Sequence, residues 1–218
     1  MKKKIVVVTV LSICVILVAL LGGHNKKNKV VKDTKYTVPQ IEEIPEGETK
    51  TYTFPNEIIT ASQFSWEDAQ DYVDGLKEYN SDNSWFDSVE LQSNGQVVMT
   101  VTQKQREVWF RQMEDNINKY IEKCEKGGVS VEIGENMDTL AFIQEKDFTL
   151  SLMTFEFALV AIKNSLLDIQ MFMGVESSAC YVYTRLERES TGEVVFDEKA
   201  NGKGWEFMED EWNPEEKK

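Results

Sequence analysis

Residues 147–174 read DFTLSLMTFEFALVAIKNSLLDIQMFMG, and the fold turns on whether this run lies in a bilayer or in a protein core. It is apolar almost all round, from Phe148 and Leu150 to Met171 and Phe172. Its polar groups Glu156, Lys163 and Gln170 recur every seven residues as a narrow wet stripe, and Asn164 and Asp168 add a second one. In lipid, Glu156, Lys163 and Asp168 would each cost about 2.5–3.5 kcal/mol near the bilayer centre. The run is therefore predicted to be the central core helix of a folded domain, from about Asp147 to Met173, closed by Gly174.

Strand patterns flank that helix on both sides. Upstream, Val129–Ile133 and Thr139–Gln144 alternate around Glu135–Asp138; downstream, Ala179–Glu187 and Glu193–Asp197 do so across Ser190-Thr191-Gly192. Ser88–Gln92 and Gln96–Thr102 enclose Asn94-Gly95, which supplies the two φ > 0 positions of a type I′ hairpin turn. Lys50–Phe54 is a further short strand ending at Pro55. A helix capped by Ser65 places Trp66, Ala69, Tyr72, Val73 and Leu76 on one face. The next opens with a capping box, Thr102 to Gln105, and ends at Gly127-Gly128. It buries Val108, Trp109, Met113, Ile117 and Cys124, and turns Arg106, Arg111, Glu114, Asn118 and Glu122 to water. The fold class is α+β: an antiparallel sheet of hairpins covered by three helices, over residues 49–204.

Charge divides the chain. Residues 1–35 hold eight lysines and one acid, a net +7; of the 24 bases and 38 acids in all, residues 36–218 therefore keep 16 and 37, a net −21. So acidic a domain repels phosphate backbones, which argues against nucleic-acid binding. The basic residues 1–4 precede Ile5–Leu21, an uncharged run extended to 23 by two glycines, long enough to cross the ~30 Å hydrocarbon layer. Leu20 and Leu21 spoil the small-residue pattern of a cleavage site, so 5–23 reads as an uncleaved transmembrane anchor. Cleavage would instead give a secreted domain. Leu11-Ser12-Ile13-Cys14 departs from a lipidation motif at Ile13. Three lysines precede the run and five follow, a count that favours a cytoplasmic domain. The short basic start before an apolar run is export geometry, and the domain is placed outside the cytoplasm. Residues 24–48, punctuated by Pro39 and Pro45, read as a flexible tether, and 205–218 as a loose acidic tail.

Met1–Gly23, the polar tether and the closing hairpin around Thr191-Gly192-Glu193-Val194-Val195 resemble the uncharacterised, N-terminally anchored surface proteins of Gram-positive bacteria. The resemblance implies a location at the cell envelope and carries no activity with it.

Catalytic patterns are wanting. His24, the one histidine, lies on the tether, out of reach of Cys124 and Cys180 for nucleophilic catalysis. No G-x-S-x-G, S-x-x-K or phosphate-cradling glycine loop occurs, and no zinc ligand cluster. Asn80–Ser84 has the alternate oxygens of a calcium loop, but Trp85 and Leu91 occupy positions that need glycine and a bidentate acid. No metal or other cofactor is expected. Cys124 and Cys180 form a candidate disulfide if the domain is exported. Trp85, Phe86, Trp205 and Trp212 are candidates for a contact surface, because tryptophan is enriched at binding hot spots. The reading is a non-enzymatic, membrane-anchored interaction module, with another envelope protein as partner. An accessory subunit of a membrane complex would show an exposed apolar patch. A carboxylate-based envelope hydrolase would show a deep cleft with at least two raised acids.

Overall fold

A computed structural model describes residues 35–62, 67–82, 84–198 and 212. The elements in order are β1 (Lys50–Thr53), α1 (Asn56–Ser62), α2 (Ala69–Tyr79), β2 (Ser88–Leu91), β3 (Val97–Val101), α3 (Gln103–Lys126), β4 (Val129–Ile133), β5 (Thr139–Gln144), α4 (Leu152–Phe172), β6 (Tyr183–Arg188) and β7 (Glu193–Asp197). The class is α+β. The predicted hairpins form as β2–β3, β4–β5 and β6–β7, all antiparallel.

The strands make two sheets rather than one. The first has the order β1-β3-β2 and is antiparallel throughout; the second has the order β4-β5-β6-β7. Within the second, β5 and β6 are parallel, with Thr139 opposite Tyr183 and Gln144 opposite Arg188. A hairpin reading fixes only sequence neighbours. Here α4 crosses over between β5 and β6 and returns the chain to the end where β5 began, which makes the pair parallel. The described helices number four, α1 being the addition to the expected three. No described helix is long and apolar enough to cross a membrane. The anchor at 5–23 lies outside the described residues.

Helix α4 is the core helix and joins the two sheets. Near its start, Phe155 meets Phe142 of β5 at 4.8 Å between ring centroids; near its end, Phe172 meets Tyr52 of β1 at 4.9 Å and Phe110 of α3 at 5.5 Å. It begins five residues later than predicted. Ser151 is its cap, accepting a hydrogen bond from the Thr154 N–H. Thr149 and Leu150 instead donate their N–H groups to the Gly127 carbonyl, which holds that segment extended against the end of α3. The two glycines there are needed for close approach. A Cβ on Gly127 would lie 2.7 Å from Leu150 Cβ, and one on Gly128, at φ +77°, would lie 2.9 Å from Phe148 Cα.

Two other local expectations change. The cap of α2 is Asp68, whose carboxylate accepts from the N–H groups of Gln70 and Asp71; Ser65 and Trp66 lie outside the described residues. The β2–β3 turn has a positive φ at Gly95 but not at Asn94. Gln92 pairs with Gln96, leaving the three-residue loop Ser93-Asn94-Gly95, a type I turn followed by a left-handed glycine. The capping box of Thr102 and Gln105 is formed as predicted.

The domain also begins earlier than residue 49. Tyr36 exchanges two hydrogen bonds with the Asn118 amide (2.7 and 2.8 Å), and the Val38 N–H reaches Glu114 (3.3 Å). The Ile44 N–H donates to Gln103 (3.0 Å). Arg106, 1% exposed, donates to the Glu42 carbonyl, the Tyr52 hydroxyl and Gln103. Residues 103, 106, 114 and 118 share one face of α3. Of the side chains read as facing water, Arg106, Glu114 and Asn118 instead help hold residues 36–44 as a strap, while Arg111 and Glu122 are exposed as expected.

Candidate functional site

The predicted contact surface does not assemble. Phe86 is 3% exposed and Trp212 is 1% exposed, so both belong to the core. Trp212 stacks on Phe155 at 4.6 Å, and its indole N–H donates to the Leu150 carbonyl at 3.0 Å. Trp85 is half-buried between Tyr79 and Trp109, at 5.5 and 5.4 Å, and its carbonyl accepts from the Trp109 indole. Trp205 lies outside the described residues. Trp85, Phe86 and Trp212 fill gaps between helices and loops, a use that composition alone does not separate from an exposed hot spot.

Cys124 and Cys180 are both free and buried. Cys124 stands in the last turn of α3, and Cys180 in the loop between α4 and β6, where its thiol lies 3.7 Å from the Val175 carbonyl. Burial raises the two thiols to about 12 and about 11, so neither is a ready nucleophile. In the Asn80–Ser84 loop, the Asn80 amide binds the Phe86 carbonyl and the Trp85 N–H. Its oxygen thus closes the loop, and no group of three or more potential metal ligands occurs among the described residues.

Among the described residues the exposed large apolar side chains are three on α4, Met173 at its C-cap and Val194 on β7. Met153, Phe157 and Val160 are 64%, 40% and 37% exposed. Their spacing of four and three puts them in one row along the outer side of the first half of the helix. The polarity of α4 is thus the reverse of a simple amphipathic reading. Of the heptad-spaced groups expected to be wet, Lys163 and Gln170 are turned inward and used, while Glu156 is half-buried. The Gln170 amide donates to the Met137 and Tyr181 carbonyls and accepts from the Tyr181 N–H. Lys163 sits between Glu57 of α1 (2.6 Å) and Glu198 after β7 (3.1 Å). Glu198 also accepts from the Thr184 N–H at 3.0 Å. This cluster ties α1, α4 and the second sheet together. Sequence periodicity finds the helix but cannot say whether a polar stripe meets water or loop backbone.

Asp168, one turn beyond Lys163 on α4, is raised to about 7 by burial. Its charge in turn adds to the burial that raises the Cys180 thiol and the Tyr72 hydroxyl. Two shallow grooves lie elsewhere, both beside the first sheet. One of about 320 Å³ runs between β1 and Gly174–Ser178, and one of about 280 Å³ runs along Phe86–Glu90. Neither is lined by Glu57, Asp168 or Glu198. Comparison with protein-family models, curated proteins and solved structures finds no match.

Proposed function

We propose that this chain is a membrane-anchored, extracytoplasmic interaction module that binds another envelope protein through the outer face of α4. The observation that carries the reading is the row of Met153, Phe157 and Val160, exposed on a helix whose other large apolar side chains are mostly buried. Contiguous apolar groups left at the surface of a folded domain mark contact sites. Methionine and phenylalanine add adaptable and large contact area. The anchor in this reading is 5–23. Since the strap fixes the chain from Tyr36 onward, residues 24–35 alone separate anchor from domain. At ~3.3–3.6 Å per residue they reach at most ~40–43 Å. The partner is therefore met at the membrane surface, which favours an accessory subunit of a membrane complex. The hydrolase reading has less support: Glu57 and Glu198 are both tied to Lys163 in ion pairs, and neither groove is lined by them or by Asp168.

The test pairs location with binding. External protease on intact cells should remove the domain, and a domain left intact would place it inside. The Met153→Glu, Phe157→Glu double variant changes only outward-facing groups and should keep the wild-type circular dichroism. It should lose the protein that co-purifies with the wild type from solubilised membranes. Undiminished co-purification would overturn the reading.

A further inference from the structure

The first sheet ends in an open edge at β1. The Phe54 N–H donates to the Val97 carbonyl, and Gln92 donates to Gln96 on the other side of β3. Antiparallel pairing alternates, so Val97, Met99 and Val101 turn their backbone groups to β1, and Tyr52 and Lys50 turn theirs to β3, while Phe54, just past the strand, gives β3 its N–H alone. Thr51 and Thr53 must then point their N–H and C=O groups away from the sheet. No described residue takes them up. They face the 320 Å³ groove whose far wall is Gly174, Val175, Glu176, Ser177 and Ser178, with Met171 behind. Ser177 closes one end by binding the Phe54 carbonyl and Asn56. Lys50 lines the groove at the other end of β1, and the exposed Glu46 and Glu48 precede it in the chain. At the opposite edge, α2 packs against β2.

We propose that the β1 edge accepts an extended, basic segment of a partner protein as a fourth strand. Two residues of β1 offer two donors and two acceptors in strand register, the arrangement by which sheet edges capture peptides. Four residues set the length of the contact. The sign of the peptide follows from charge: the groove lining holds Glu176 against Lys50, the exposed Glu46 and Glu48 come immediately before β1 in the chain, and residues 36–218 carry a net −21. This site stands apart from the α4 row, which occupies the opposite half of that helix, so either can fail without the other.

The test uses the full chain in detergent micelles and two fluorescein-labelled, end-capped octapeptides, one alternating lysine and valine, the other glutamate and valine. Fluorescence anisotropy should show saturable binding of the lysine peptide and at least tenfold weaker binding of the glutamate peptide. Thr53→Pro removes an outward N–H and places a ring in the groove, yet leaves the bonds to β3 in place, since proline is tolerated on the open side of an edge strand. It should weaken binding at least tenfold. Methylating alternate backbone nitrogens of the lysine peptide should do the same, and this leaves the protein unaltered. Equal binding of methylated and unmethylated peptide, equal binding of the two charges, or no saturable binding would overturn the proposal. So would a concentration-dependent dimer abolished by Thr53→Pro, which would assign the edge to a second copy.

Discussion

Replacing Trp212 by alanine separates a core tryptophan from a surface hot spot. A buried tryptophan removes about 150–250 Å² from water, worth roughly 4–6 kcal/mol at about 25 cal/mol per Å². A compact unfolded chain already hides part of that area, which lowers the figure by about 10–40%. The indole N–H to Leu150 contributes about 1 kcal/mol, and the stacking on Phe155 adds a further increment of similar size. These terms reach about 4–7 kcal/mol for the whole side chain; alanine keeps the Cβ and the site closes in part, so Trp212→Ala should cost about 3–5 kcal/mol, the range found for tryptophan truncation in cores. Trp212→Phe keeps a ring against Phe155 but loses the hydrogen bond, and should cost about half as much. Urea unfolding of the full chain, followed by circular dichroism at 25 °C, measures both. A loss under about 1 kcal/mol for alanine, with the slope unchanged, would refute the packing argument and return Trp212 to the surface.

Other expectations follow from single features. Asp168 is raised to about 7 when folded, against an ordinary value near 3.8. The folded state therefore holds the extra proton between those values, and its stabilising contribution, complete below about 4, is lost as pH rises through 7. Asp168→Asn should flatten this slope and stabilise the protein at pH 8 while changing little at pH 4, as thermal melts across that range will show. Gly128→Ala meets both a positive φ and Phe148 at 2.9 Å and should cost about 2–4 kcal/mol. Gly174→Ala meets only a positive φ, +83°, with open space around it, and should cost about 1–2 kcal/mol. Equal melting shifts would refute the role given to close approach. Asn118→Ala removes both bonds to Tyr36, so amide exchange at Tyr36 and Val38 should quicken while the α4 amides stay protected. Unchanged exchange at Tyr36 would show that the strap is held by other contacts.

What the sequence showed and what it hid follow one pattern. Signals confined to a few neighbouring residues were legible: the capping box at Thr102, the hairpins, the glycine stop at Gly174, and the core nature of α4. Features that depend on distant partners were not. Asn118 and Arg106 carry the same polar signal whether they meet water or the backbone of residues 36 and 42. Lys163 and Gln170 likewise turn inward because Glu57, Glu198 and the loop carbonyls are there to receive them. The exposed row on α4 could not be picked out from a helix apolar on nearly every side. Trp212 sits in an acidic tail, and only the pocket formed by Phe148, Leu150 and Phe155 shows why it is buried.

The central claim, that the outer face of α4 is a binding surface, is tested most directly by placing a photo-crosslinking amino acid there in intact cells. At Phe157, and separately at Met153, irradiation should yield one and the same discrete adduct. The same probe at Glu122, whose side chain is 63% exposed on α3, should yield none. No adduct at Phe157, or the same adduct from Glu122, would contradict the account.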